Sequence, residues 1–319
     1  MKLLIVCSGN EGYISPFISE QVASIIKLGI DCEYFLIQEK GIKGYLKSYY
    51  PLKKKINQFM PDLIHAHYGL CGFLVCLIKK RPPLIITYHG SDINLYKNKS
   101  AIKLILNPLL SYLANRMADA SLFVNKRLIE LLRPKKYFSI IPCAVDLDLF
   151  YPIDNNLARN KLKLQLSNKY ILFSSSFSNP VKNYSLAKSA CNKIDAKVIE
   201  LDKFSREEVN LLLNACDVAL LTSLSEGSPQ FIKEAMACNC PIVSTDVGDV
   251  RQVIGNTEGC YICSYNPADV VEKIKLALSF SETKGRTNGR QCIIDLGLDS
   301  ETIANKIIKV YENVLFGNK

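Results

Sequence analysis

The sequence contains no apolar run long enough to span a membrane. Its longest apolar run, Leu70 to Ile78, is interrupted by Gly72 and falls far short of the ~18 residues that a spanning helix needs. The opening residues, MKLLIVC, are too short for the apolar segment of a signal peptide, and we interpret them as a first β-strand. Because nothing directs export, the sequence predicts a cytoplasmic protein.

Residues that commonly bind metals are few or poorly placed. The three histidines all lie between residues 65 and 89. Twelve cysteines are present, but most occur in apolar runs, where a free thiol acts as a small core residue. The one CxxC pair, Cys260 and Cys263, has no second cysteine pair and no nearby histidine to complete a zinc site, so a metal or redox role is disfavoured. A G-x-G-x-x-G segment is also absent, which counts against a dinucleotide-dependent dehydrogenase.

Acidic residues are scarce, relative to basic ones, in the first half of the chain. Residues 1–150 contain 20 Lys and Arg against 11 Asp and Glu, a net charge of +9, whereas residues 151–319 contain 20 against 19, a net charge of +1. A basic half of this kind is typical of binding to nucleic acid or to an anionic membrane face. The alternative is that each basic cluster is a solvated helix end, which is favoured for any one cluster but explains the asymmetry less well.

Short apolar segments alternate with segments of helical length throughout the chain. The strand candidates are Lys2–Cys7, Cys32–Ile37, Asp62–His67, Leu84–Tyr88, Ala120–Val124, Phe138–Pro142, Tyr170–Ser175, Lys197–Leu201, Asp217–Thr222, Pro241–Thr245 and Cys260–Cys263. Continuous apolar strands separated by helices indicate parallel sheets covered on both faces. The segment 38–61 is the least regular and is predicted to be a mobile loop followed by a helix.

The alternation stops at CAVDLDLFYPIDNN, residues 143–156, which we interpret as a linker. The sequence therefore predicts an α/β protein with two doubly wound, Rossmann-like domains, residues 1–150 and 151–300, and a C-terminal helix, 301–319, that packs back on the first domain. Ligands of such sheets bind beyond the carboxyl ends of the strands, so we expect the site in a cleft between the two domains.

The segment SEGSPQFIKEAMACNCPIVST, residues 225–245, combines a loop with a helix start. Ser228 is predicted to be the N-cap, followed by Pro229 at the first helical position, and Asn239 is predicted to end the helix in a left-handed conformation. The amides at the helix start then form an anion site between two carboxylates, Glu226 and Glu234. A nucleotide-sugar fits such a site, since it carries both phosphates and hydroxyls. The alternative is one surface carboxylate and one that merely faces the helix dipole.

Four segments, in order, resemble the GT-B glycosyltransferases of the large retaining family 4. They are TYHGSD (Thr87 to Asp92, preceded by HAHYG), IPCAVDLDLF (Ile141 to Phe150), NPVKN (Asn179 to Asn183) and EGSPQFIKEAMACNCPIVSTDVG, which contains an E-x7-E pair. Each segment is weak singly, but together they extend over nearly the whole chain. The overall resemblance is to bacterial transferases of the capsule and teichuronic acid type.

The resemblance implies a role for individual residues. Glu226 would contact the donor sugar and Glu234 the ribose, while His89 would approach the sugar and the reacting centre, which makes His89 and Glu226 the catalytic candidates. The remaining donor-binding candidates are Gly9, Gly12, Lys182, Gly227, Ser228, Gln230 and Phe231. Lys182 would bind phosphate, since a cation there offsets charge that develops on the leaving diphosphate.

Two histidines and one aromatic residue complete the expectations for the site. His65 is predicted to be structural, whereas a structural and a functional role are equally favoured for His67. The family usually has an arginine five residues before the lysine, and this chain has Phe177 there. Either another basic residue replaces that arginine, or Lys182 and helix amides bind the phosphate alone. The loop around residues 200–202 is a weaker candidate for the ribose or base side.

The reaction implied is transfer of a sugar, with retention, from a UDP-, GDP- or other NDP-sugar to an acceptor hydroxyl, for polysaccharide or lipopolysaccharide assembly. No D-x-D motif stands in a suitable loop, so no metal and no further cofactor is expected. The basic first half suggests a lipid-linked or glycan acceptor at an anionic membrane surface, with peripheral attachment and no nucleic-acid partner. Two alternatives stay open, a sugar-nucleotide 2-epimerase of the same architecture and a non-catalytic nucleotide-sugar-binding protein.

Overall fold

The fold is that of a computed structural model, which describes residues 1–9, 12–39, 41–91 and 101–317. The chain divides into two compact units. Unit 1 comprises Met1–Cys143 and Ser300–Lys319, and unit 2 comprises Ala144–Asp299. Within the described residues, no helix is both long enough and apolar enough to cross a bilayer.

Unit 1 is built on a six-stranded parallel sheet with the strand order β2-β1-β3-β4-β5-β6. The strands are β1 (Lys2–Ser8), β2 (Asp31–Ile37), β3 (Leu63–His67), β4 (Leu84–Tyr88), β5 (Ala120–Phe123) and β6 (Tyr137–Ile140). The helices are α1 (Pro16–Lys27), α2 (Gly41–Lys47), α3 (Tyr49–Phe59), α4 (Gly69–Cys76), α5 (Ala101–Met117), α6 (Lys126–Leu132) and the C-terminal α14 (Ser300–Phe316).

Unit 2 is built on a five-stranded parallel sheet with the strand order β11-β10-β9-β7-β8. The strands are β7 (Tyr170–Phe173), β8 (Lys197–Glu200), β9 (Val218–Leu221), β10 (Ile242–Thr245) and β11 (Cys260–Cys263). The helices are α7 (Asn155–Lys161), α8 (Tyr184–Cys191), α9 (Arg206–Ala215), α10 (Gln230–Ala237), α11 (Val250–Ile254), α12 (Pro267–Lys284) and α13 (Gly289–Asp295). A short 3-10 turn, Pro180–Lys182, precedes α8.

Both sheets are buried because their central strands are apolar on both faces. β3, β4, β7 and β9 have no exposed residue, and helices pack on each side, as the continuous apolar runs predict. All the predicted strands form, with ends that differ by at most two residues from those expected. The prediction of an α/β fold with two doubly wound parallel sheets is therefore confirmed.

The structure divides the chain at Cys143, whereas the sequence suggested residue 150. The segment 144–153 belongs to unit 2 because its backbone is bonded there. Arg290 donates to the carbonyl oxygens of Leu147 and Phe150 at 3.0 and 2.6 Å, and the Phe150 side chain is fully buried. At the other end, helix α14 packs against α1 of unit 1.

The segment 38–61 contains two helices, α2 and α3, separated by Ser48, where the sequence suggested a mobile loop and one helix. Lys40 lies outside the described residues. The second helix is anchored in unit 1 by the buried Leu52, Ile56 and Phe59. This i, i+4, i+7 spacing places all three side chains on one helical face, which the many lysines of the segment obscure in the sequence.

Strand order changes direction once in each sheet, and these positions matter for binding. In unit 1 the change falls between β1 and β3, and in unit 2 between β7 and β9, since β8 lies on the far side of β7. The loops that leave two such neighbouring strands diverge to opposite faces of the sheet and leave a crevice at the carboxyl ends. The loops after β7 and β9 are therefore the first place to look for a site in unit 2.

Candidate functional site

The loops after β7 and β9 bring a lysine and a glutamate together. Lys182 Nζ lies 2.7 Å from Glu226 Oε1, although the two residues are 44 positions apart in the chain. The side chains are 19% and 16% exposed, so the pair is partly shielded and still open to solvent. The hydroxyl of Ser223 donates to the same Glu226 oxygen at 2.7 Å. The expected phosphate-binding cation and sugar-binding carboxylate thus lie side by side at the change of strand direction.

Hydrogen bonds to backbone carbonyl oxygens fix these two loops to each other. Thr222 Oγ1 donates to the carbonyl oxygens of Lys182 and Asn183 at 2.9 and 3.1 Å. The amide of Leu224 donates to the carbonyl oxygen of Val181 at 2.9 Å. Because the backbone on both sides of the ion pair is held, the Lys182 and Glu226 side chains start from defined positions.

Helix α10 begins beside this pair, but not as the sequence predicted. The N-cap is Pro229 rather than Ser228, and the helix starts at Gln230. The Ser228 hydroxyl donates to Asp249 Oδ2 at 2.6 Å. The prediction of Ser228 as the N-cap was wrong by one residue, because Pro229 has extended backbone angles, with φ of −65° and ψ of 116°, and the helical conformation begins only at Gln230. The predicted left-handed Asn239 is confirmed, with φ of 55°.

Glu234 lies in the second turn of α10 and is almost fully buried. Its Oε1 accepts from Arg206 Nη2 at 2.5 Å, and Arg206 lies at the start of α9, directly after the loop that follows β8. The Arg206 guanidinium also lies over the Phe150 ring, 4.8 Å from its centroid. Arg206 therefore links the ribose candidate Glu234 to the 201–205 loop. Sequence reasoning missed this residue because an arginine at a helix start has no distinctive pattern.

A second ion pair lies beneath the start of α10. Lys233, fully buried on α10, lies 2.9 Å from Asp249 Oδ2 and donates to the Ser228 hydroxyl at 2.8 Å. Beside it, Gly248 has φ of 59°, and a Cβ there would lie 2.5 Å from the carbonyl oxygen of Gly227. Only glycine fits this close approach, so the loops before α10 and α11 are tightly packed. Neither Lys233 nor Asp249 was a candidate from the sequence.

Two other residues predicted to bind the sugar donor, Gln230 and Phe231, have side chains that contact other parts of unit 2. Gln230 Nε2 donates to the carbonyl oxygen of Ala144 at 2.8 Å, so this side chain fastens the first residues of unit 2. The Phe231 side chain is 5% exposed and belongs to the core. Any contact of Phe231 with a ligand would therefore use its backbone amide, as the resemblance implies.

Phe177 fills the position of the missing arginine with an aromatic contact. Its ring stacks on Tyr184 with centroids 3.7 Å apart, and its amide donates to Glu200 Oε1 at 2.5 Å. Ser176 Oγ donates to the same Glu200 oxygen at 2.9 Å. Glu200 is thus engaged by the loop after β7, which makes it a structural partner of that loop in this structure.

In unit 1, the glycines of the first loop follow β1. The amide of Gly9 donates to the carbonyl oxygen of Ile37 at 2.9 Å. The amide of Gly12 donates to the carbonyl oxygen of Gly9 at 2.8 Å. Gly12 has φ of 83°, which favours glycine. Residues 10 and 11 lie outside the described residues, so the structure gives the two ends of this loop.

The three histidines form one cluster at the carboxyl ends of β3 and β4. His65 is fully buried and bonded on both sides, with Nδ1 2.6 Å from the Tyr311 hydroxyl and Nε2 2.7 Å from Thr87 Oγ1. His67, also fully buried, has Nδ1 3.0 Å from His89 Nε2. His67 Nε2 and His89 Nδ1 are buried without a hydrogen-bond partner among the described residues. His89 thus contacts another histidine. Asp92, the last residue of the TYHGSD segment, lies outside the described residues.

These histidines are neutral at physiological pH. Burial lowers the pKa of His65 to about 3, and burial together with the neighbouring His65 lowers the pKa of His89 to about 3. Burial, reinforced by His65 and His89, lowers the pKa of His67 well below its usual value. A neutral imidazole can donate or accept a hydrogen bond, but it cannot supply a positive charge to a phosphate.

In the CxxC pair, Cys263 is buried and Cys260 is half-buried. Burial raises the pKa of both Cys260 and Cys263 to about 12, so neither is a thiolate near pH 7. All twelve cysteines are free thiols, and among the described residues no group of three or more His, Cys, Asp and Glu side chains is placed to hold a metal ion. Whether the chain works without a metal stays a prediction.

The predicted site residues fall into two groups, one in each unit. Unit 2 brings together Lys182, Glu226, Gly227, Ser228, Gln230, Phe231 and Glu234 around the start of α10. Unit 1 holds Gly9, Gly12 and His89 at the carboxyl ends of its strands. The structure adds Arg206, Lys233 and Asp249 to the unit 2 group.

Family models match most of the chain. The model for glycosyl transferases group 1 matches residues 192–291, and the model for glycosyltransferase family 4 matches residues 20–149. A Bacillus subtilis protein assigned to teichuronic acid biosynthesis as a glycosyltransferase is 28% identical over 254 residues, which cover 68% of this chain and 63% of that protein. The N-acetyl-α-D-glucosaminyl L-malate synthase of Bacillus anthracis is 25% identical over 297 residues, which cover 81% and 76%. The chain thus spans slightly less than two thirds of the first relative.

Solved structures share the fold at low sequence identity. The sucrose-phosphate synthase of Thermosynechococcus elongatus is 17% identical, with a TM-score of 0.86 and coverage of 100% of both chains. The UDP-GlcNAc 2-epimerase of Methanocaldococcus jannaschii is 11% identical, with a TM-score of 0.60 and coverage of 98% and 99%. Both a synthase and an epimerase therefore share this architecture, so the fold alone does not separate the two activities. By its matching family models, the chain belongs to the group 1 glycosyltransferases, with a GT-B fold.

Proposed function

We propose that this chain is a retaining glycosyltransferase that moves a sugar from a nucleoside-diphosphate sugar to an acceptor hydroxyl in cell-surface polysaccharide or lipopolysaccharide synthesis. The observation that carries the proposal is the 2.7 Å contact between Lys182 and Glu226 at the change of strand direction in unit 2, beside the start of helix α10. A cation, a carboxylate and a helix start in one crevice match a ligand with phosphates and hydroxyls.

The diphosphate is proposed to bind between Lys182 and the first amides of α10. Glu226 forms an ion pair with the Lys182 ammonium. An arriving diphosphate competes for that ammonium and releases Glu226 towards the hydroxyls of the sugar. Lys182 then offsets the negative charge that builds on the leaving phosphate, which is the interaction that accelerates the reaction.

The chemical step is proposed to occur on one face of the sugar. The bond from the anomeric carbon to the β-phosphate oxygen breaks, and the acceptor hydroxyl oxygen forms the new bond to that carbon from the same face. The acceptor proton passes to an oxygen of the leaving phosphate, so neither glutamate forms a covalent bond. The transition state resembles an oxocarbenium ion, as in other glycosyl chemistry.

The nucleoside is proposed to bind at the Glu234 side of α10. The Glu234 carboxylate accepts a hydrogen bond from Arg206 through Oε1, and the residue is 2% exposed. The position of the carboxylate is therefore already fixed before ribose binds. A fixed acceptor binds a hydroxyl pair with little loss of side-chain entropy. The base has no candidate residue beyond the 201–205 loop, and UDP, GDP and other nucleotides are all admitted by this proposal.

His89 is proposed to approach the donor sugar as a neutral imidazole. Its Nε2 is held by His67, and its Nδ1 is covered in this structure, so a hydrogen bond to the sugar requires Nδ1 to be uncovered on binding. Substituting His89→Ala tests the role, and an unchanged kcat/KM would remove His89 from the reaction.

The acceptor is proposed to be a glycan or a lipid-linked glycan held by the basic part of the chain, at an anionic membrane surface. The support is the charge of +9 over residues 1–150. Flotation with liposomes, with and without anionic lipid, tests the membrane part of the proposal. Equal partitioning in both would contradict it.

The donor assignment is tested by incubating the protein with UDP-, GDP-, ADP- and CDP-sugars and following its melting temperature, which a ligand specific to the native state raises. Product analysis with donor alone separates the rivals, because an epimerase converts the sugar without an acceptor whereas a transferase does not. Retention is read from the anomeric configuration of the product by NMR. Activity that survives thorough chelation tests the predicted metal independence.

A further inference from the structure

His67 and His89 share a hydrogen bond, and each has one further ring nitrogen that lacks a partner. His67 ends strand β3, and His89 directly follows β4. His67 Nδ1 lies 3.0 Å from His89 Nε2, and the two ring planes are inclined by 13°. His67 Nε2 and His89 Nδ1 are buried and have no hydrogen-bond partner among the described residues. The proposed reaction uses His89 alone, so it leaves His67 without a role.

One proton lies between the two rings, and the ring that carries it decides what His89 offers to a ligand. Burial, reinforced by neighbouring histidines, lowers the pKa of His67 well below its usual value and that of His89 to about 3. Both rings are therefore neutral, and each carries one N–H. If His67 Nδ1 donates, the proton of His89 lies on Nδ1 and His89 offers a donor there. If His89 Nε2 donates, His89 Nδ1 is a bare acceptor and the proton of His67 lies on Nε2.

The surroundings of the two nitrogens favour the first arrangement. His67 is 0% exposed, and the rings of His65 and His89 are its neighbours, with centroids 4.5 and 5.2 Å away. An N–H on His67 Nε2 would be buried without an acceptor whether or not a ligand is bound, and such groups are rare in proteins. His89 is partly exposed, so an N–H on its Nδ1 can obtain an acceptor when a ligand binds. The unpaired donor is therefore placed on His89.

The residues around His89 hold its ring against His67. The rings of Phe17 and Tyr68 lie 4.8 and 5.0 Å from the His89 ring, centroid to centroid. Tyr68 directly follows His67 and has φ of 76° and ψ of 146°, backbone angles that residues other than glycine rarely adopt. Its amide donates to the carbonyl oxygen of Thr87 at 2.9 Å, which joins the ends of β3 and β4. Backbone strain of this kind clusters at functional sites, and here it keeps the two histidines side by side.

We propose that His67 is a positioning residue that fixes His89 in the tautomer with its proton on Nδ1. His67 Nδ1 donates to His89 Nε2, and His89 therefore presents an N–H to the ligand and not a lone pair. The group that it meets is then a hydrogen-bond acceptor, such as the oxygen of a sugar hydroxyl. The identity of this ligand rests on the proposed function, in which His89 approaches the donor sugar, whereas the tautomer does not.

Nitrogen NMR of the histidine rings tests the tautomer directly. The chain has three histidines, so protein labelled with nitrogen-15 at histidine gives three ring systems, which the variants His65→Gln and His89→Gln assign. In a neutral ring the protonated and the bare nitrogen differ in chemical shift, and couplings to the ring C–H protons distinguish Nδ1 from Nε2. We expect the proton of His89 on Nδ1, although a free neutral histidine side chain favours Nε2. A wild-type His89 with its proton on Nε2 would overturn the inference, even if a variant of His67 fails to fold.

Two substitutions of His67 with the same shape separate donation from packing. In His67→Asn the side-chain amide takes the place of the Nδ1–H donor, whereas His67→Leu has no donor. We expect His67→Leu to move the proton of His89 to Nε2 and to lower kcat/KM for the donor sugar about 10-fold, since one hydrogen bond to the sugar is lost. His67→Asn should recover the Nδ1 tautomer and most of the lost kcat/KM. The same tautomer in both variants, or the same kcat/KM, would overturn the inference.

His65→Gln is the matched control, because His65 is as fully buried as His67 but forms its hydrogen bonds with Tyr311 and Thr87. This variant should have a lower melting temperature and keep the proton of His89 on Nδ1. A His89 tautomer that also changes in His65→Gln would show that packing of the cluster sets it, which contradicts the inference. If the wild-type protein transfers no sugar, the proposed function and the ligand assigned to His89 fall, while an Nδ1 tautomer that depends on His67 still supports its positioning role.

Discussion

Replacing Lys182 with methionine separates catalysis from folding. The substitution removes the ammonium that lies 2.7 Å from Glu226 Oε1 and keeps most of the side-chain volume. Loss of a positioned group that stabilises charge on a leaving oxygen costs about 10²-fold to 10³-fold in rate, or about 2.7–4 kcal/mol of transition-state stabilisation. We expect a fall of that size in kcat/KM.

The same substitution should have little effect on stability. The Lys182 side chain is 19% exposed, and after its removal Glu226 keeps the Ser223 hydroxyl as a donor. An ion pair of this kind contributes about 1 kcal/mol, which shifts the melting temperature by roughly 2–4 °C in a domain of this size. The rate should therefore fall far more than the stability does.

The assay combines initial rates, measured with the donor identified by thermal shift, with thermal unfolding of the same samples. Lys273→Met is the control, because Lys273 also lies in unit 2 and contacts Glu272 at 2.9 Å on helix α12. That control should keep the wild-type rate. A Lys182→Met enzyme that retains more than a tenth of wild-type kcat/KM, or that loses activity only in step with unfolding, would refute the phosphate role of Lys182.

Three further predictions follow from the remaining contacts. Glu234→Gln leaves the helix intact but weakens the hydrogen bond from Arg206. Because a hydrogen bond to a charged group is lost, the KM for the donor should rise about 10-fold with a smaller change in kcat. Equal binding of ribo- and 2′-deoxynucleotides by the wild-type protein would contradict a ribose contact. Burial lowers the pKa of His65 to about 3 in the folded protein, against 6.5 in the unfolded chain, so the unfolded state binds more protons. The free energy of unfolding should therefore fall as pH drops below ~6.5, by up to ~1.4 kcal/mol per pH unit. Urea titrations from pH 7 to 5 check this, and the fall with pH should be shallower in His65→Gln. Because burial raises the pKa of Cys260 and Cys263 to about 12, Cys260→Ser/Cys263→Ser should keep full activity and native Cys260 and Cys263 should react slowly with a thiol reagent at pH 8; rapid labelling of either residue in the folded protein would show this to be wrong.

Local sequence patterns were sufficient for the elements of the fold. Strands such as Leu84–Tyr88 and Val218–Leu221 are continuous apolar runs with no competing helical period, and turn residues mark their ends. The left-handed Asn239 was predictable because Pro241, two residues later, cannot continue the helix. The prediction of a mobile loop and a single helix in segment 38–61 was wrong, because the lysines of this segment conceal the apolar face of α3.

The sequence by itself also marked Glu226 and Glu234 as candidates, and its resemblance to a known family added Lys182, because the spacing within each short motif is a local property. Only the tertiary structure decided how they are paired. Lys182 meets Glu226 across 44 residues, Arg206 meets Glu234, and the Ser228 hydroxyl donates to Asp249 across 21 residues. In a parallel sheet, loops that are far apart in the chain meet at the carboxyl ends of neighbouring strands, so the partner of each side chain is set by strand order and not by local sequence.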